Sequence, residues 1–456
     1  MKQEVLYYPM TIGQGVLIFA DKYCLIRSWM NIAAVIDIHS PIDEQLMLQA
    51  MTLTMMRTPS ARLRLHKQDK KTVVQYFSDA TPTGIELVDM SDLSEKEVET
   101  RLTKWAQTPF PNKSFDTQLY NVKLVKRNNG FCSLFVCFYH MEFDSYTLMT
   151  TVRYIFDVYK ALSENTALPK ELGSPIPMYE ADDAYYHSKQ YEIDREYWKG
   201  RFANGGEPQF TSLYGKDGKY NTKNQRSGKI TLIFQNKTTH DNLAIPAELT
   251  KKVRETAEAW HISQQSFYEL AIRSYLSEIC DTNDVTLLNA VARRAKKVQK
   301  AGGGTMVNAV NVRMIIDRET TSFREACTTV FHTLNDIYRH SNYDFSEVSK
   351  ISQSLYPIKP GVGYASITLC FQPYFTLGGE DMNISFHRLN NGGASMPLYL
   401  TIMPCDKSDT LMCNYEHTPY YSSEQVQTLH AYILKFLENA TKEPDATLKE
   451  LIAKSL

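Results

Sequence analysis

A hairpin, a buried strand and a helix follow one another in residues 119–163, and no other segment constrains the fold as much. Residues 119–126 alternate apolar and polar side chains, and Asn129-Gly130 follows them. Asn-Gly is a strong signal for a tight hairpin turn, so the apolar run FCSLFVCFY at 131–139 is predicted to be a buried strand. Apolar residues then recur at helical spacing over 146–163. The sequence therefore predicts a strand-to-helix junction directly after a buried strand.

The rest of the chain shows the same mixture of patterns and has no internal repeat. A helix is predicted over 43–56, and another begins near the end of the chain, where Ser422 and Gln425 form a capping box. Further strands are predicted at 31–38, 230–234, 285–291, 307–316, 366–372 and 398–403. These elements predict a mixed α/β (α+β) protein.

The length of the chain predicts two lobes. A single hydrophobic core seldom organises as many as 456 residues. The best linker candidate is the segment 164–183, which carries prolines, glycines and acids. We therefore expect a first lobe over 1–172 and a second lobe over 173–456.

Charge and cysteine content exclude several classes of protein. Fifty Lys and Arg against 51 Asp and Glu give a net charge of -1, which argues against nucleic-acid or membrane binding as the general function. Eight scattered cysteines without a CxxC pair predict buried thiols in a reducing compartment. The N-terminus lacks a signal-peptide core, and no apolar stretch approaches the ~20 residues of a membrane span. We expect a cytoplasmic protein.

The junction after the buried strand contains His140 and, four residues later, Asp144. A histidine at the end of a buried strand has a rigid backbone and a ring that can face a cleft, as a catalytic base requires. A hydrogen-bonded core histidine is the alternative interpretation of His140. Asp144 has two candidate roles, because it can cap the helix or pair with a distant arginine.

Motifs for metals and cofactors are incomplete in this sequence. There is no HExxH motif, and the H-x-E at His140 lacks the accompanying PCxxC of zinc deaminases. Gly13-Gln14-Gly15 lacks the third glycine of a dinucleotide fingerprint, and the glycines at 302–304 lack the lysine of a phosphate loop. We therefore expect neither a metal site nor a bound cofactor.

One local cluster of positive charge stands out from the near-neutral total. It consists of Arg293, Arg294, Lys296, Lys297 and Lys300, with no acid between them. Such a cluster can bind a phosphate or an acidic partner surface, and a solvated loop is the alternative interpretation.

The chain resembles the condensation domains of nonribosomal peptide synthetases, within the chloramphenicol-acetyltransferase-like (HxxxD) acyltransferase superfamily. The family motif HHxxxDG corresponds to residues 139–145. Four further segments resemble family motifs across nearly the whole chain: residues 11–14 (TIGQ), 194–202 (DREYWKGRF), 283–294 (NDVTLLNAVARR) and 304–313 (GTMVNAVNVR). These last two segments place Arg294 and Asn308 on the family's arginine and asparagine.

The resemblance implies two chloramphenicol-acetyltransferase-like lobes in a V-shaped pseudo-dimer, with a substrate tunnel between them. His140 would assist an amine or hydroxyl acceptor as it attacks a donor thioester, and Asp144 would pair with Arg294. Asn308 is a tunnel candidate. Phosphopantetheine or coenzyme A would enter only as part of a substrate. The residues expected to dock a carrier protein or coenzyme A are Arg293, Lys296, Lys297 and Lys300.

Two positions depart from the family motif, because Tyr139 replaces the first histidine and Ser145 replaces the glycine. Three functional hypotheses remain open. The first is a stand-alone, monomeric condensation enzyme that forms an amide or ester from a thioester on a carrier protein acting in trans. The second is an acyl-CoA-dependent O- or N-acyltransferase. The third, prompted by Tyr139 and Ser145, is a catalytically degenerate module that recruits a partner protein.

Overall fold

The structure is a computed structural model that describes residues 5–21, 24, 26–70, 72–110, 115–216, 237–294, 296–356, 363–372, 382–394, 396–404 and 408–456. Its described part contains two main β-sheets with helices packed against them, so the predicted α/β fold class is confirmed. The strand predicted at 230–234 lies outside the described residues. In these ranges no helix combines the length and the apolar character that crossing a bilayer requires.

The first sheet contains the predicted hairpin. In spatial order its strands are β11 (Ile384–Arg388), β1 (Asn31–Ile38), β6 (Cys132–Tyr139), β5 (Tyr120–Lys126) and β4 (Leu87–Asp89). Helices α2 (Glu44–Arg57) and α5 (Ser145–Ser163) pack on one face of it, and α4 (Glu95–Ala106) packs on the other. A separate hairpin is formed by β2 (Leu63–Lys67) and β3 (Val73–Phe77). The central strand β6 thus leads into α5, as the sequence predicts.

The second sheet belongs to the larger lobe. Its strands, in spatial order, are β7 (Thr239–Ile245), β13 (Leu411–His417), β12 (Leu398–Pro404), β10 (Ile367–Phe371), β8 (Asp284–Val291) and β9 (Asn308–Ile315). The helices that contribute most of the residues of its main apolar core are α8 (Ala247–Ala259), α9 (Gln264–Ile279), α11 (Phe323–Arg339), α13 (Ser423–Lys442) and α14 (Leu448–Ser455). The predicted capping box of α13, between Ser422 and Gln425, is present.

The remaining elements lie between these strands and helices in the chain. They are α1 (Ile12–Asp21), a 3₁₀ turn (Arg27–Met30), α3 (Pro59–Arg62), α6 (Ile176–Tyr186), α7 (Lys189–Ala203), α10 (Lys297–Ala301) and α12 (Phe345–Leu355). Gly13 in α1 packs against the carbonyl oxygens of Thr305 and Val307, and a Cβ atom there would lie 2.8 Å from both. The first helix therefore approaches the loop before β9 as closely as glycine permits.

One strand crosses between the predicted lobes. Although β11 belongs to residues 173–456, it pairs antiparallel with β1 in the first sheet. His387 of β11 lies 3.5 Å from Asp37 and 3.4 Å from Glu99. Burial would lower the pKa of His387, but these two carboxylates raise it to about 9. At neutral pH His387 is therefore charged, and its ion pairs bind β11 to the first lobe. Residues 384–388 thus lie in the first sheet, although the predicted boundary at 172/173 assigns them to the second lobe.

Candidate functional site

His140 lies at the end of the central strand β6, where both lobes hold its backbone. Its N–H donates to the carbonyl of Met30 over 2.7 Å. Its own carbonyl accepts a hydrogen bond from the hydroxyl of Thr305, which comes from the second half of the chain. These two bonds fix the turn that follows β6, so the imidazole is positioned by contacts on either side of the lobe junction.

The imidazole of His140 is in an environment that favours its neutral form. Burial lowers the pKa of His140 below its ordinary value. Nδ1 is fully buried and has no hydrogen-bond partner, whereas the residue as a whole is only half-buried. Nε2 is not among the buried atoms that lack a partner, so it is the ring nitrogen that can face a substrate. The arrangement is suited to a base that accepts a proton through Nε2 near neutral pH.

Asp144 performs both of the roles that the sequence left open. One carboxylate oxygen accepts from the backbone N–H of Thr147 over 2.8 Å and so caps α5. The other oxygen accepts from Arg294 over 2.9 Å and from the backbone N–H of Met306 over 3.0 Å. Burial opposes ionisation, but the charge of Arg294 and these hydrogen bonds lower the pKa of Asp144. The carboxylate is therefore charged, buried and fully bonded.

Arg294 organises the loop that faces the start of α5. Its side chain is 2% exposed and donates to the carbonyl groups of Gln299, Gly302 and Gly304, as well as to Asp144. The guanidinium carbon also lies 4.7 Å from the ring centroid of Tyr146. The structure thus brings together His140, Asp144 and Arg294 from distant parts of the sequence.

Two of the residues predicted for this region have other roles. Arg293 was expected to dock a partner, but its side chain is only 3% exposed and forms an ion pair with buried Asp182. Its backbone φ of 52° lies in the left-handed region. Asn308 was expected to line a tunnel, but it is 0% exposed and its amide donates to the carbonyls of Ser341 and Tyr343. Both predictions are wrong, because neither side chain is accessible.

The three lysines of the basic cluster remain accessible. Lys296, Lys297 and Lys300 are exposed, on α10 or directly before it. The hydroxyl of Tyr146 in the first turn of α5 donates to the carbonyl of Lys300 over 3.0 Å. A positively charged surface patch, which we call the lysine patch, therefore adjoins the helix that begins at the HxxxD motif.

The two residues that depart from the motif are accommodated without disturbing it. The ring of Tyr139 packs edge-on against Phe110, and burial raises the pKa of Tyr139 to about 12, so the phenol is neutral. Ser145 is the first residue of α5 and is half-buried. Gln14, in the segment 11–14, donates to the carbonyl of Met141 over 2.7 Å and so stabilises the turn that contains the motif.

The sequence analysis missed Glu142, which lies inside the motif. It is 0% exposed, and neither carboxylate oxygen has a hydrogen-bond partner. Burial raises the pKa of Glu142 well above its ordinary value, and Arg64 only partly opposes this effect. An acid between Met141 and Phe143, directly after a buried strand, was the available signal. The carboxyl group is therefore held neutral two residues from His140.

Glu142→Gln is expected to remove a pH dependence of stability. The folded pKa of Glu142 exceeds its ordinary value near 4.5, so the folded state binds the proton more tightly than the unfolded state. This contribution is complete below pH 4.5 and is lost as the pH rises through the folded pKa. The difference in melting temperature, Gln variant minus wild type, should therefore increase as the pH rises. A difference in melting temperature that does not change with pH would contradict a buried neutral Glu142. The control is Glu164→Gln, at a surface position.

Two α/β lobes thus meet at His140, and the buried Asp144–Arg294 bridge fixes the turn that follows it. The family model for the condensation domain matches residues 6–455. The chain therefore belongs to the condensation-domain family, whose members are acyltransferases. Within the residues that the structure describes, no group of three or more His, Cys, Asp or Glu side chains is arranged to hold a metal ion.

Curated relatives are much longer than this chain. A plipastatin synthase subunit of Bacillus subtilis (strain 168) is 20% identical over 451 residues, which are 97% of this chain and 17% of that protein. Surfactin synthase subunit 1 of the same organism is 22% identical over 460 residues, which are 98% of this chain and 12% of that protein. The chain therefore spans less than a fifth of the length of these relatives.

Solved structures of condensation domains share the fold. The first condensation domain of the calcium-dependent antibiotic synthetase, in complex with a substrate analogue, superposes with a TM-score of 0.81 at 19% identity, over 98% of each chain. A starter condensation domain of rhizomide synthetase, in complex with C8-CoA, superposes with a TM-score of 0.80 at 17% identity, over 97% of this chain and 96% of that one. The predicted two-lobed fold is confirmed by these matches.

Proposed function

We propose that this chain joins an acyl or aminoacyl group, carried as a phosphopantetheinyl thioester on a separate carrier protein, to an amine or hydroxyl acceptor. The observation that carries this proposal is the half-buried His140, whose surroundings favour a neutral ring and whose turn is held by the Asp144–Arg294 bridge. Family membership supports the reaction class. The donor, the acceptor and the monomeric state are proposals for this chain.

The proposed reaction needs no covalent enzyme intermediate. The acceptor nitrogen or oxygen attacks the thioester carbonyl, and Nε2 of His140 takes the proton that the acceptor loses. The tetrahedral intermediate then collapses, the C–S bond breaks, and the proton passes to the departing phosphopantetheine thiolate. Because a thioester is already activated, holding both substrates in line contributes about 7–11 kcal/mol to lowering the barrier. General-base assistance adds roughly 10²–10⁴ in rate.

The lysine patch is the proposed entrance for the donor. Its three exposed ammonium groups adjoin the first turn of α5, and they carry a charge that complements an acidic carrier surface or a phosphate. Coenzyme A has the same phosphopantetheine arm, so an acyl-CoA donor is the second candidate. It is favoured by the C8-CoA complex of a structurally similar starter domain.

Reversing the charge of the lysine patch should weaken donor binding without slowing the chemistry. Exchanging Lys296, Lys297 and Lys300 for Glu is expected to raise the donor KM by roughly 10- to 100-fold, with kcat little changed, because the patch lies outside the reacting atoms. Steady-state transfer from matched acyl-carrier and acyl-CoA donors measures this. The control variant exchanges the exposed Lys251, Lys252 and Lys435 for Glu.

The same assay distinguishes the two donors. Efficient transfer from the carrier, with a KM that depends on the lysine patch and on salt, supports the carrier-dependent function. Turnover with free acyl-CoA alone supports the second candidate. An unchanged KM for both donors in the triple Glu variant would rule out the lysine patch as the docking surface.

A further inference from the structure

The second sheet has one apolar face and one polar face. Along β12, Leu398, Leu400 and Ile402 belong to the core shared with the helices of the second lobe. Since alternate residues of a strand point to opposite faces, Thr401 and Met403 lie on the other face. Met403 packs into the core of the first lobe. The polar face of the second sheet is therefore turned toward the first lobe.

This face carries an unusual number of buried polar groups. By strand alternation it includes Thr368, Cys370, Tyr399, Thr401, Asn414 and Glu416. Thr368 is 3% exposed, and its hydroxyl has no hydrogen-bond partner. Burying polar groups costs free energy when they are unpaired, and a purely structural lobe contact would be served by apolar side chains. We call this face the polar wall; it lies where the second sheet meets the first lobe.

Arg388, the last residue of the crossing strand β11, lies against this wall. On β11 it is placed opposite Ala34 of the first sheet, and its Nη1 donates to the hydroxyl of Thr401 in the second sheet over 2.9 Å. Arg388 thus spans the gap between the two sheets. Since β11 is the strand that is fastened by His387, the position of Arg388 is set by the fold.

No acid lies within ion-pair distance of Arg388 in the described part of the chain, although its charge, after that of His240, helps to lower the pKa of Glu416 on the same face. Arg293 and Arg294 are each committed to a buried aspartate. Arg388 is half-buried, and its remaining guanidinium nitrogens are not among the buried atoms that lack partners. Its donors therefore remain accessible from the space between the lobes.

The positive charge of Arg388 affects the pKa of His140, the proposed base. It contributes to lowering the pKa of His140, after the larger effect of burial, and it also acts on Cys370 of the polar wall. This electrostatic effect agrees with the position of Arg388 between the two sheets, at the same lobe junction as His140.

We propose that Arg388 binds a carboxylate of one of the two substrates and so makes this site selective for an acid-bearing donor or acceptor. This inference deepens the proposed function and rests on it. The planar guanidinium offers a pair of donors in the geometry that a carboxylate matches, and Thr401 holds it in orientation. A neutral analogue could not form this charged pair.

Two pairs of probes separate the donor from the acceptor as the source of the carboxylate. For the donor, calorimetric binding of succinyl-CoA is compared with that of butyryl-CoA, which has a methyl group in place of the carboxylate. For the acceptor, the free amino acids are compared with their primary amides. The wild type should bind the acid of one pair roughly 10- to 100-fold more tightly than its neutral partner.

Variants of Arg388 test whether that preference arises at the proposed residue. Arg388→Gln should abolish the preference, Arg388→Lys should retain part of it, and the surface variant Arg153→Gln should leave it unchanged. Equal binding of acid and neutral probes by the wild type in both pairs would overturn the proposal, as would a preference that persists in Arg388→Gln. Because binding is measured without turnover, failure of transfer would count against the proposed function alone.

Discussion

Replacing His140 with alanine is expected to lower the rate of acyl transfer by roughly 10²–10⁴-fold while leaving the fold intact. In the proposed reaction the imidazole accepts the acceptor's proton, and burial lowers its pKa, which favours the neutral ring near pH 7. Its Nδ1 has no hydrogen-bond partner that the variant would break. Single-turnover transfer from a saturating donor, followed by product formation, measures the chemical step directly.

The exposed His332 on α11 provides the matched control, and His332→Ala should transfer at the wild-type rate. Equal melting temperatures for the two variants would show that the loss is chemical. Unchanged transfer in His140→Ala would refute the assignment of the base. Absence of thioester consumption by the wild type, together with capture of a carrier protein, would favour the degenerate module that Tyr139 and Ser145 suggest.

The pH dependence of transfer provides an independent readout of the same group. Since burial lowers the pKa of His140 below 6.5, the rate should fall on acidification only below that value. Between there and neutral pH the base is already deprotonated and the rate should be flat. A rate that rises steeply through pH 7 would place the proton acceptor elsewhere.

The sequence predicted the central part of the site because its signals are local. The Asn129-Gly130 turn, the apolar run before His140 and the helical spacing after Asp144 are all contained in about 45 residues. In the structure they form β5, β6 and α5 in antiparallel and sequential contact. The distant partner Arg294 entered only through the family resemblance, because nothing in its own neighbourhood specifies which acid it contacts.

The parts that sequence patterns did not give depend on non-local contacts. Strand β11 is five residues long and pairs with β1, which precedes it by some 350 residues. Its residue Arg388 therefore had no detectable relation to His140. The basic cluster was interpreted by composition, which cannot tell that Arg293 pairs with buried Asp182 while the lysines remain exposed.

Adjacent arginines with separate buried acids explain how the lobes are held at the site. Arg293 pairs with Asp182, which also accepts from the N–H of Ile12 at the start of α1 over 2.9 Å. Arg294 pairs with Asp144 at the start of α5. The turn at 293–294 therefore contacts α6 through Asp182 and the start of α5 through Asp144. Each bridge is buried, so each carboxylate depends on its own arginine for compensation.

Asp144→Asn is expected to destabilise the protein by about 3–5 kcal/mol and to reduce transfer as well. Asparagine keeps the size of the side chain and an oxygen that can cap α5, so the loss arises from the uncompensated buried charge of Arg294. The turn that carries His140 is held between that cap and Thr305, and its displacement reduces the rate. Urea unfolding and single-turnover transfer measure the two effects on the same preparation.

The exposed ion pair between Arg153 and Asp157 on the same helix is the matched control. Its side chains are 63% and 43% exposed and 3.9 Å apart, and Asp157→Asn should change stability by less than about 1 kcal/mol. Adding Arg294→Gln to Asp144→Asn should restore part of the lost stability, because it removes the unpaired charge. Loss of transfer with an unaltered unfolding curve in Asp144→Asn would exclude a structural bridge and place the carboxylate in the chemical step.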